Sequence, residues 1–330
     1  MLAIEMKGVG KQYEQNIVEP GIAGAVKWYL HRKIKTVQAL KGFSLSVKEG
    51  EMMGVIGPNG AGKSTAIKIM TGILRSDSGS VRVLGKDPFE QRQDLAKDIG
   101  VVFGQRTQLW WDLPPRDTFD LLHAIYNIPD KTFSKNLEMF TEILDLGPLL
   151  GKPVRKLSLG ERMRCEIAAA LLHNPKLVFL DEPTIGLDLI AKENVRDFLI
   201  KINRENKTTI ILTTHDMGDI EELCDRVAIV DIGKKVYDGK LEKIRKLFGK
   251  EKEVSVEFHS QPSAQELRKL GMKIVKREGE RYWFSVHGNI SSAVKKLVNR
   301  FNLHDIEIEE PEIEEIIKKV YREGVRNAKY

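Results

Sequence analysis

The sequence predicts an α/β protein built on a mostly parallel sheet, followed by a smaller α+β domain. Short β-rich apolar runs alternate with helical stretches from Gly42 to about Asp238, and several of these runs are apolar throughout, like buried central strands. The pattern changes around residues 249–253, after which strand-like and helix-like segments follow in the order βαββαβ. We therefore expect a first domain over residues 1–248 and a C-terminal accessory domain over residues 249–330.

Four apolar runs are predicted to form the buried strands of the parallel sheet: MMGVIG, IGVVF, KLVFL and TTIILTT. The run SVRVLG follows the turn SDSGS and indicates one arm of an antiparallel β subdomain instead. No strand pattern occurs between Leu113 and Leu172. We expect a helical subdomain there, over about residues 113–172, inserted into the α/β domain.

The C-terminal domain is predicted to have a ferredoxin-like arrangement. Its strand patterns are EVSVEF, MKIVK, RYWFSV and DIEIEE, and helices are expected near residues 264–270, 290–301 and 312–321. This domain carries no recognisable catalytic constellation.

Composition argues against a secreted or membrane-spanning protein. The two cysteines, Cys165 and Cys224, lie far apart and outside any metal-binding pattern. No stretch reaches the roughly 18 uninterrupted apolar residues that a membrane span requires. We expect a protein of the reducing cytoplasm.

Positive charge is concentrated near the start of the chain. The first 48 residues hold eight Lys or Arg against three Glu, an excess of +5 within a formal charge of +6. A basic insertion at about residues 15–36 contains GIAGAVKWYLHRKIK, with apolar side chains on one helical face and basic ones around it. It would lie on an anionic membrane surface or pack as a flap over the sheet, and its residues favour neither.

A glycine-rich loop joins the strand MMGVI to the helix AIKIM and reads GPNGAGKST, residues 57–65. It fits the pattern G-x-x-x-x-G-K-[ST] in the strand-to-helix setting that this motif requires, which predicts a P-loop NTPase core. Lys63 is expected to reach the β and γ phosphates, and Ser64 to bind Mg²⁺. The phosphate-binding residues predicted here are Gly57, Pro58, Asn59, Gly60, Ala61, Gly62, Lys63, Ser64 and Thr65.

The strand KLVFL ends in two carboxylates, at the sheet edge where open parallel sheets bind ligands. We assign Asp181 to Mg²⁺, through water, and Glu182 to positioning and polarising an attacking water. His215, after TTIILTT, would contact the γ-phosphate or the water, and Gln105, after IGVVF, would contact Mg²⁺ or water. Each has a structural alternative, since carboxylates also cap helices and a strand-end histidine is commonly structural.

A second anion site is predicted in LSLGER, residues 157–162. Ser158 and Glu161 have the spacing of a capping box, and the helix that follows has a buried stripe containing Met163 and Ile167. The positive end of this helix has no phosphate of its own in the segment, and a capping box without a ligand is the structural alternative.

Taken together, these motifs occur in an order that resembles the nucleotide-binding subunit of ABC transporters, over residues 1 to about 240. In that family two subunits meet head to tail, and each ATP lies between the phosphate loop of one and the signature helix of the other. The resemblance implies that Ser158 and Gly160 contact the γ-phosphate in the opposite subunit. It also implies that Asp188, in GLD, crosses the dimer seam and that Tyr13 stacks on adenine.

The implied cofactors are ATP and Mg²⁺, with Glu182, His215 and Lys63 as catalytic residues and Ser64, Gln105 and Asp181 as the metal site. Two positions of the signature depart from the family's LSGGQ, because Leu159 replaces a glycine and Glu161 a glutamine. A carboxylate near the γ-phosphate would repel it. We therefore expect Glu161 to turn back and cap its own helix.

The expected function is that of the ATPase subunit of an efflux system, on the cytoplasmic face of the cell membrane. Its partners would be a second copy or close paralogue and separate integral membrane permease subunits, with Trp110 and Trp111 where the family docks them. The C-terminal domain looks like that of the family's exporter-type branch. One alternative is an importer subunit, which the ATPase core does not distinguish from an exporter subunit. The other is a soluble ABC ATPase acting on ribosomes or nucleic acid, which is less favoured because such proteins generally carry two ATPase cassettes or very long coiled-coil inserts, and neither is present.

Overall fold

The computed structural model describes residues 1–16, 34–104, 106–248, 251–260, 262–263, 266–267, 272–287, 290–309 and 313–323. The chain divides into two compact units, Met1–Asp238 and Gly239–Tyr330, so the division falls before the predicted boundary at residue 248.

The strands up to this boundary are β1 (Leu2–Asn16), β2 (Ile34–Lys48), β3 (Met52–Ile56), β4 (Ser78–Val83), β5 (Ile99–Phe103), β6 (Leu177–Asp181), β7 (Thr209–Thr213), β8 (Arg226–Asp231) and β9 (Lys234–Lys240). The α-helices among the described residues of the first unit are α1 (Lys63–Met70), α2 (Arg92–Ala96), α3 (Pro115–Ile125), α4 (Asp130–Ile143), α5 (Leu159–Leu171), α6 (Leu189–Asn206) and α7 (Met217–Leu223).

A six-stranded sheet in the order β5-β6-β7-β3-β8-β9 forms the centre of the first unit. The first five of these strands pair in parallel, and all four predicted apolar runs are among them. Every residue of β7 is buried. In register at the carboxyl edge, Asp181 lies beside Thr213 on one side and Phe103 on the other, which brings the predicted polar residues to one place.

The predicted antiparallel subdomain is a three-stranded sheet in the order β2-β1-β4. β4 contains most of the run SVRVLG, as expected, and pairs antiparallel with β1. Apolar residues of this sheet, among them Ile4, Phe43 and Val83, share one core with Ile67 of α1 and Phe179 of β6. The antiparallel sheet therefore holds the helix that follows the phosphate loop.

A helical subdomain was predicted over about residues 113–172, all of which the structure describes. It contains α3, α4, a 3₁₀ turn at Val154–Lys156 and α5, and no strand. Phe140 of α4 contacts Phe198 of α6 edge-on, with 4.9 Å between the ring centroids.

The second unit contains α8 (Leu241–Phe248), β10 (Glu251–Phe258), β11 (Lys273–Glu278), β12 (Arg281–His287), α9 (Ile290–Arg300), β13 (Leu303–Glu309) and α10 (Ile313–Glu323). Its sheet runs β11-β12-β10-β13 with antiparallel neighbours, which is the strand order of a ferredoxin-like domain. Val254, Phe284 and Leu297 are fully buried in its core. Of the helix predicted near residues 264–270, only Glu266 and Leu267 are described, and both are helical.

Residues 17–33 of the predicted basic insertion lie outside the described residues. The amphipathic helix was expected to continue to residue 35, and this is wrong at its end, because Ile34 and Lys35 belong to β2. There they pair with Asn16 and Gln15 of β1, whose backbone supplies strand hydrogen-bond partners. Among the described helices, none combines the length and apolar character needed to cross a lipid bilayer.

Candidate functional site

The phosphate loop has glycines where a side chain would not fit. A Cβ atom on Gly57 would lie 2.5 Å from the carbonyl oxygen of Val230, and one on Gly62 would lie 2.6 Å from that of Ala39. Gly60 and Gly62 also have left-handed backbones, with φ of 80° and 109°. Turns of this kind form backbone concavities that bind anions.

The start of α1 suits a phosphate group. Gly62 is its N-cap and supplies no side-chain acceptor, and no acidic residue lies in the first turn, which contains Ser64 and Thr65. The N–H groups at a helix start need acceptors, and the helix dipole favours an anion there. The loop itself is closed by Ala61, whose N–H donates to the carbonyl of Pro58 at 3.1 Å. Asn59 lies in the same turn.

Lys63 folds over this loop. Its Nζ donates to the carbonyl oxygens of Gly57, at 2.5 Å, and Pro58, at 3.2 Å. Burial lowers the pKa of Lys63, and the carboxylates of Glu182 and Asp181 act in the opposite direction. Lys63 therefore lies within electrostatic range of both predicted carboxylates.

Asp181 is fixed between two hydroxyl groups. Ser64 donates to its Oδ2 at 3.4 Å, and Thr213 donates to its Oδ1. A serine hydroxyl beside a carboxylate is a set of oxygen donors that fits Mg²⁺. The role of Thr213 was not predicted. Its position at the carboxyl end of an apolar strand could have indicated that it lies near Asp181.

Glu182 and His215 contact each other directly. Nδ1 of His215 lies 2.7 Å from Oε2 of Glu182, and the His215 side chain is 75% exposed against 24% for Glu182. Glu182 has a left-handed backbone with φ of 57°, and its N–H donates to the carbonyl of Thr213 at 2.8 Å. The structure thus brings Lys63, Ser64, Asp181, Glu182 and His215 together, as the sequence predicted.

Two further nucleotide contacts were predicted, at Gln105 and Tyr13. Gln105 lies outside the described residues. Its neighbour Gly104 packs closely on β6, since a Cβ there would lie 2.7 Å from the carbonyl oxygen of Asp181. Tyr13 is half-buried in β1, in register with Val37 of β2.

The predicted second anion site is a capping box at the start of α5. The Glu161 N–H donates to Ser158 Oγ at 3.1 Å, and the Ser158 N–H donates to Glu161 Oε2 at 2.8 Å. The latter bond, above all, lowers the pKa of Glu161. The expectation that Glu161 caps its own helix is confirmed.

Gly160 and Asp188, the other residues assigned to the dimer seam, lie near each other. A Cβ on Gly160 would be 2.8 Å from the carbonyl oxygen of Gly186, and Leu159 covers Gly186. Asp188 caps α6 by accepting from the Ala191 N–H at 2.8 Å. The signature turn and the GLD segment of one chain therefore pack together.

A buried carboxylate that was not predicted, Glu166, lies on α5. It accepts hydrogen bonds from the Thr107 hydroxyl and from the Gln108 N–H, at 3.1 Å. Burial raises the pKa of Glu166. A glutamate on the apolar face of the signature helix was the available signal. The contact anchors the segment after Gln105 to α5.

Comparison with protein families gives a match to the ABC transporter model over residues 40–185. The chain is 31% identical over 212 residues to the ABC transporter ATP-binding protein NatA of Bacillus subtilis (strain 168), covering 64% of this chain and 86% of NatA. It is 33% identical to the daunorubicin resistance ATP-binding protein DrrA3 of Streptomyces coeruleorubidus, and the match covers 68% of this chain and 69% of DrrA3. It is also 35% identical to the methionine import ATP-binding protein MetN of Geobacillus kaustophilus (strain HTA426), covering 62% of this chain and 61% of MetN.

Among solved structures, the chain resembles a dimeric post-hydrolysis state of the ATP-binding cassette MJ0796 bound to ADP and Pi. The TM-score is 0.60 at 25% identity, and the match covers 72% of this chain and 98% of that one. This likeness agrees with the phosphate loop, the paired strand-end carboxylates and the helix cap described above. The chain belongs to the ABC transporter family, as an ATP-binding subunit that hydrolyses ATP.

Proposed function

We propose that this chain is the ATPase of a multi-chain efflux transporter, that it works as a head-to-tail dimer, and that it drives separate membrane subunits from their cytoplasmic side. The observation that carries the hydrolytic part is the contact of Glu182 with His215, 2.7 Å apart, at the sheet edge that also holds Lys63 and Asp181.

Nucleotide binding is assigned to the loop at residues 57–65. Its backbone and Lys63 would hold the phosphates, while Ser64 and Asp181 would hold Mg²⁺, joined by Gln105. Bound Mg²⁺ would neutralise charge that develops on the phosphate oxygens. The described residues contain no cluster of three or more metal-binding His, Cys, Asp or Glu, so phosphate and water oxygens would complete the coordination.

Water activation is assigned to Glu182. His215 occupies Oε2, which leaves Oε1 to accept a proton from a water that attacks the γ-phosphorus. Because His215 is largely exposed, its outer ring face is available to a ligand, and we assign it to the γ-phosphate. As the bond from water to the γ-phosphorus forms, the bond from the γ-phosphorus to the ADP oxygen breaks, which gives ADP and inorganic phosphate, and Glu182 then returns its proton to solvent.

The second half of each site is assigned to another copy of the chain. The capping box fixes the amino end of α5, and Ser158 and Gly160 lie at that end of the helix. Apolar side chains surround this region on the exposed side, with Leu189 and Ile190 about 70% exposed and Leu159 40% exposed. A neighbouring subunit would cover them, and Asp188 lies in the same surface.

The membrane partner is assigned to the segment that follows Gln105. Trp110 and Trp111 are 54% and 50% exposed, and exposed tryptophans commonly anchor interfaces. The guanidinium of Arg162, on the signature helix, lies 5.7 Å from the centre of the Trp111 ring. Motion at the tryptophans would therefore reach α5 directly.

Export is proposed from the ferredoxin-like C-terminal unit, which resembles the accessory domain of exporter-type members. The named relatives include both a resistance protein and an import protein. Affinity purification of the tagged chain from detergent-solubilised native membranes tests the assignment. Integral membrane chains that co-purify would support it, and their known or assayed direction decides between efflux and import. Recovery of ribosomes or nucleic acid in their place would overturn it.

A further inference from the structure

A fully buried carboxylate, Asp219, lies on α7 close to the catalytic segments and has no part in the reaction described above. Its exposed fraction is 0%. Oδ1 accepts from Nε and Nη2 of Arg196, at 2.8 Å and 2.7 Å. Oδ2 accepts from the Thr184 hydroxyl and, at 3.5 Å, from that of Thr214. Both oxygens of the Asp219 carboxylate therefore accept hydrogen bonds.

The donors lie next to the predicted catalytic residues. Thr184 comes two residues after Glu182, and Thr214 immediately precedes His215. Both threonines are buried, with exposed fractions of 2% and 1%. A buried charge with several donors fixes their directions strongly, because an unmade hydrogen bond is costly there.

The backbone of Glu182 needs such support. A φ of 57° is unfavourable for a residue with a side chain and persists only where neighbouring groups enforce it. On one side, the Glu182 N–H is bonded to Thr213 of β7. On the other side, the next side-chain anchor is Thr184, through its bond to Asp219.

We propose that Asp219 is a positioning residue, which through Thr184 and Thr214 holds Glu182 and His215 in the contact that hydrolysis requires. This inference rests on the proposed roles of Glu182 and His215. It extends them by naming a buried group that sets their geometry without touching the nucleotide.

A purely structural reading makes a different prediction. Arg196 also contacts Glu222, at 3.0 Å, so α6 and α7 stay joined by a second ion pair. If Asp219 serves only to join these helices, removal of the Thr184 hydroxyl would change stability and leave turnover alone.

The sharpest test is Thr184→Val, which removes one hydroxyl and keeps the shape of the side chain. Thr208→Val is the matched control, since Thr208 is equally buried and lies just before the amino end of β7, away from the catalytic edge. Its hydroxyl donates to the carbonyl of Pro175. Steady-state kcat and KM for ATP are measured with nucleotide affinity and thermal unfolding. We expect kcat to fall about tenfold or more in Thr184→Val, with KM and affinity near the wild-type values, because small misplacement of reacting groups has large effects.

Thr184→Ser keeps the hydroxyl and should recover most of the wild-type kcat, while Thr208→Val should keep it. Asp219→Asn should show the same split between kcat and KM as Thr184→Val, provided that it folds. Equal kcat in Thr184→Val and Thr208→Val would overturn the inference. The proposed function fails separately, if Glu182→Gln turns over ATP at the wild-type rate.

Discussion

Nδ1 of His215 and Oε2 of Glu182 lie 2.7 Å apart, although the two residues follow different strands and Glu182 has a left-handed backbone. The parallel pairing of β6 with β7 sets this contact, because it places Asp181 beside Thr213 and so brings the residues after them together. The carboxylate is thereby held by one oxygen and free to act with the other.

Replacing Glu182 with glutamine should separate binding from hydrolysis. The amide keeps the size of the side chain but cannot accept a proton from water, so we expect turnover to fall by about 10²-fold or more. ATP affinity should stay near the wild-type value, because the phosphate loop is untouched. The variant should accumulate as an ATP-bound dimer, observable by size-exclusion chromatography. Rapid turnover in this variant would show that another group activates the water.

Gly160→Ala tests the contact between the signature turn and the GLD segment. The new Cβ would lie 2.8 Å from the carbonyl oxygen of Gly186, so one of the two backbones must shift. We expect ATPase activity to fall about tenfold and the free energy of unfolding by about 1–3 kcal/mol.

The matched control for this change is Gly151→Ala, where no atom lies within 4 Å of the added Cβ. Its stability should change by less than about 0.5 kcal/mol. Both quantities are read from steady-state assays and urea unfolding. Equal ATPase activity in the two variants would mean that the close contact between Gly160 and Gly186 is not required for hydrolysis.

The Glu161 cap should make stability depend on acid pH. Its pKa lies below the ordinary value of 4.5 in the folded protein, chiefly because the Ser158 N–H donates to the carboxylate. The ionised carboxylate therefore adds stability above pH 4.5, and this is lost as the pH falls through the lower, folded-state pKa.

Glu161→Gln supplies the comparison, because glutamine also completes a capping box and does not titrate in this range. Wild type should be the more stable of the two at neutral pH, and the difference should shrink as the pH falls below 4.5. Urea unfolding of both proteins across this range measures it. A difference in unfolding free energy that does not change with pH would show that the charge of Glu161 does not stabilise the fold.

Mixing two inactive variants tests whether the signature acts on the opposite subunit. Ser158→Arg removes the signature contact and keeps Glu182, while Glu182→Gln does the reverse. A mixed dimer would then contain one intact site, so activity should reappear and peak near equal amounts. Either variant alone at the same total concentration is the control. Failure to recover activity at any ratio would argue against composite sites.

The sequence predicted the parallel core, the antiparallel subdomain and the helical insertion because each depends on local periodicity and turn residues. It also predicted the cluster of Lys63, Ser64 and Asp181, since the phosphate loop and the strand ends have fixed places in such a sheet. The capping role of Glu161 followed from a three-residue spacing.

Other features depend on contacts between distant segments. The bond of Thr184 to Asp219 joins residues 35 positions apart, and that of Thr107 to Glu166 joins residues 59 apart. Neither contact can be predicted from the spacing of its residues in the sequence. The end of the predicted basic helix failed for a related reason, because strand pairing with Asn16 and Gln15 prevails over helical periodicity at Ile34 and Lys35.

The most direct test of the composite site is the specific ATPase activity of purified chain over a wide dilution range, with sedimentation analysis of the same samples. If hydrolysis requires two copies, activity per chain should decline with dilution in step with the dimer fraction, and Ser158→Arg should be inactive throughout. Undiminished activity per chain at concentrations where only monomer sediments would show that one copy alone hydrolyses ATP and that the site is not composite.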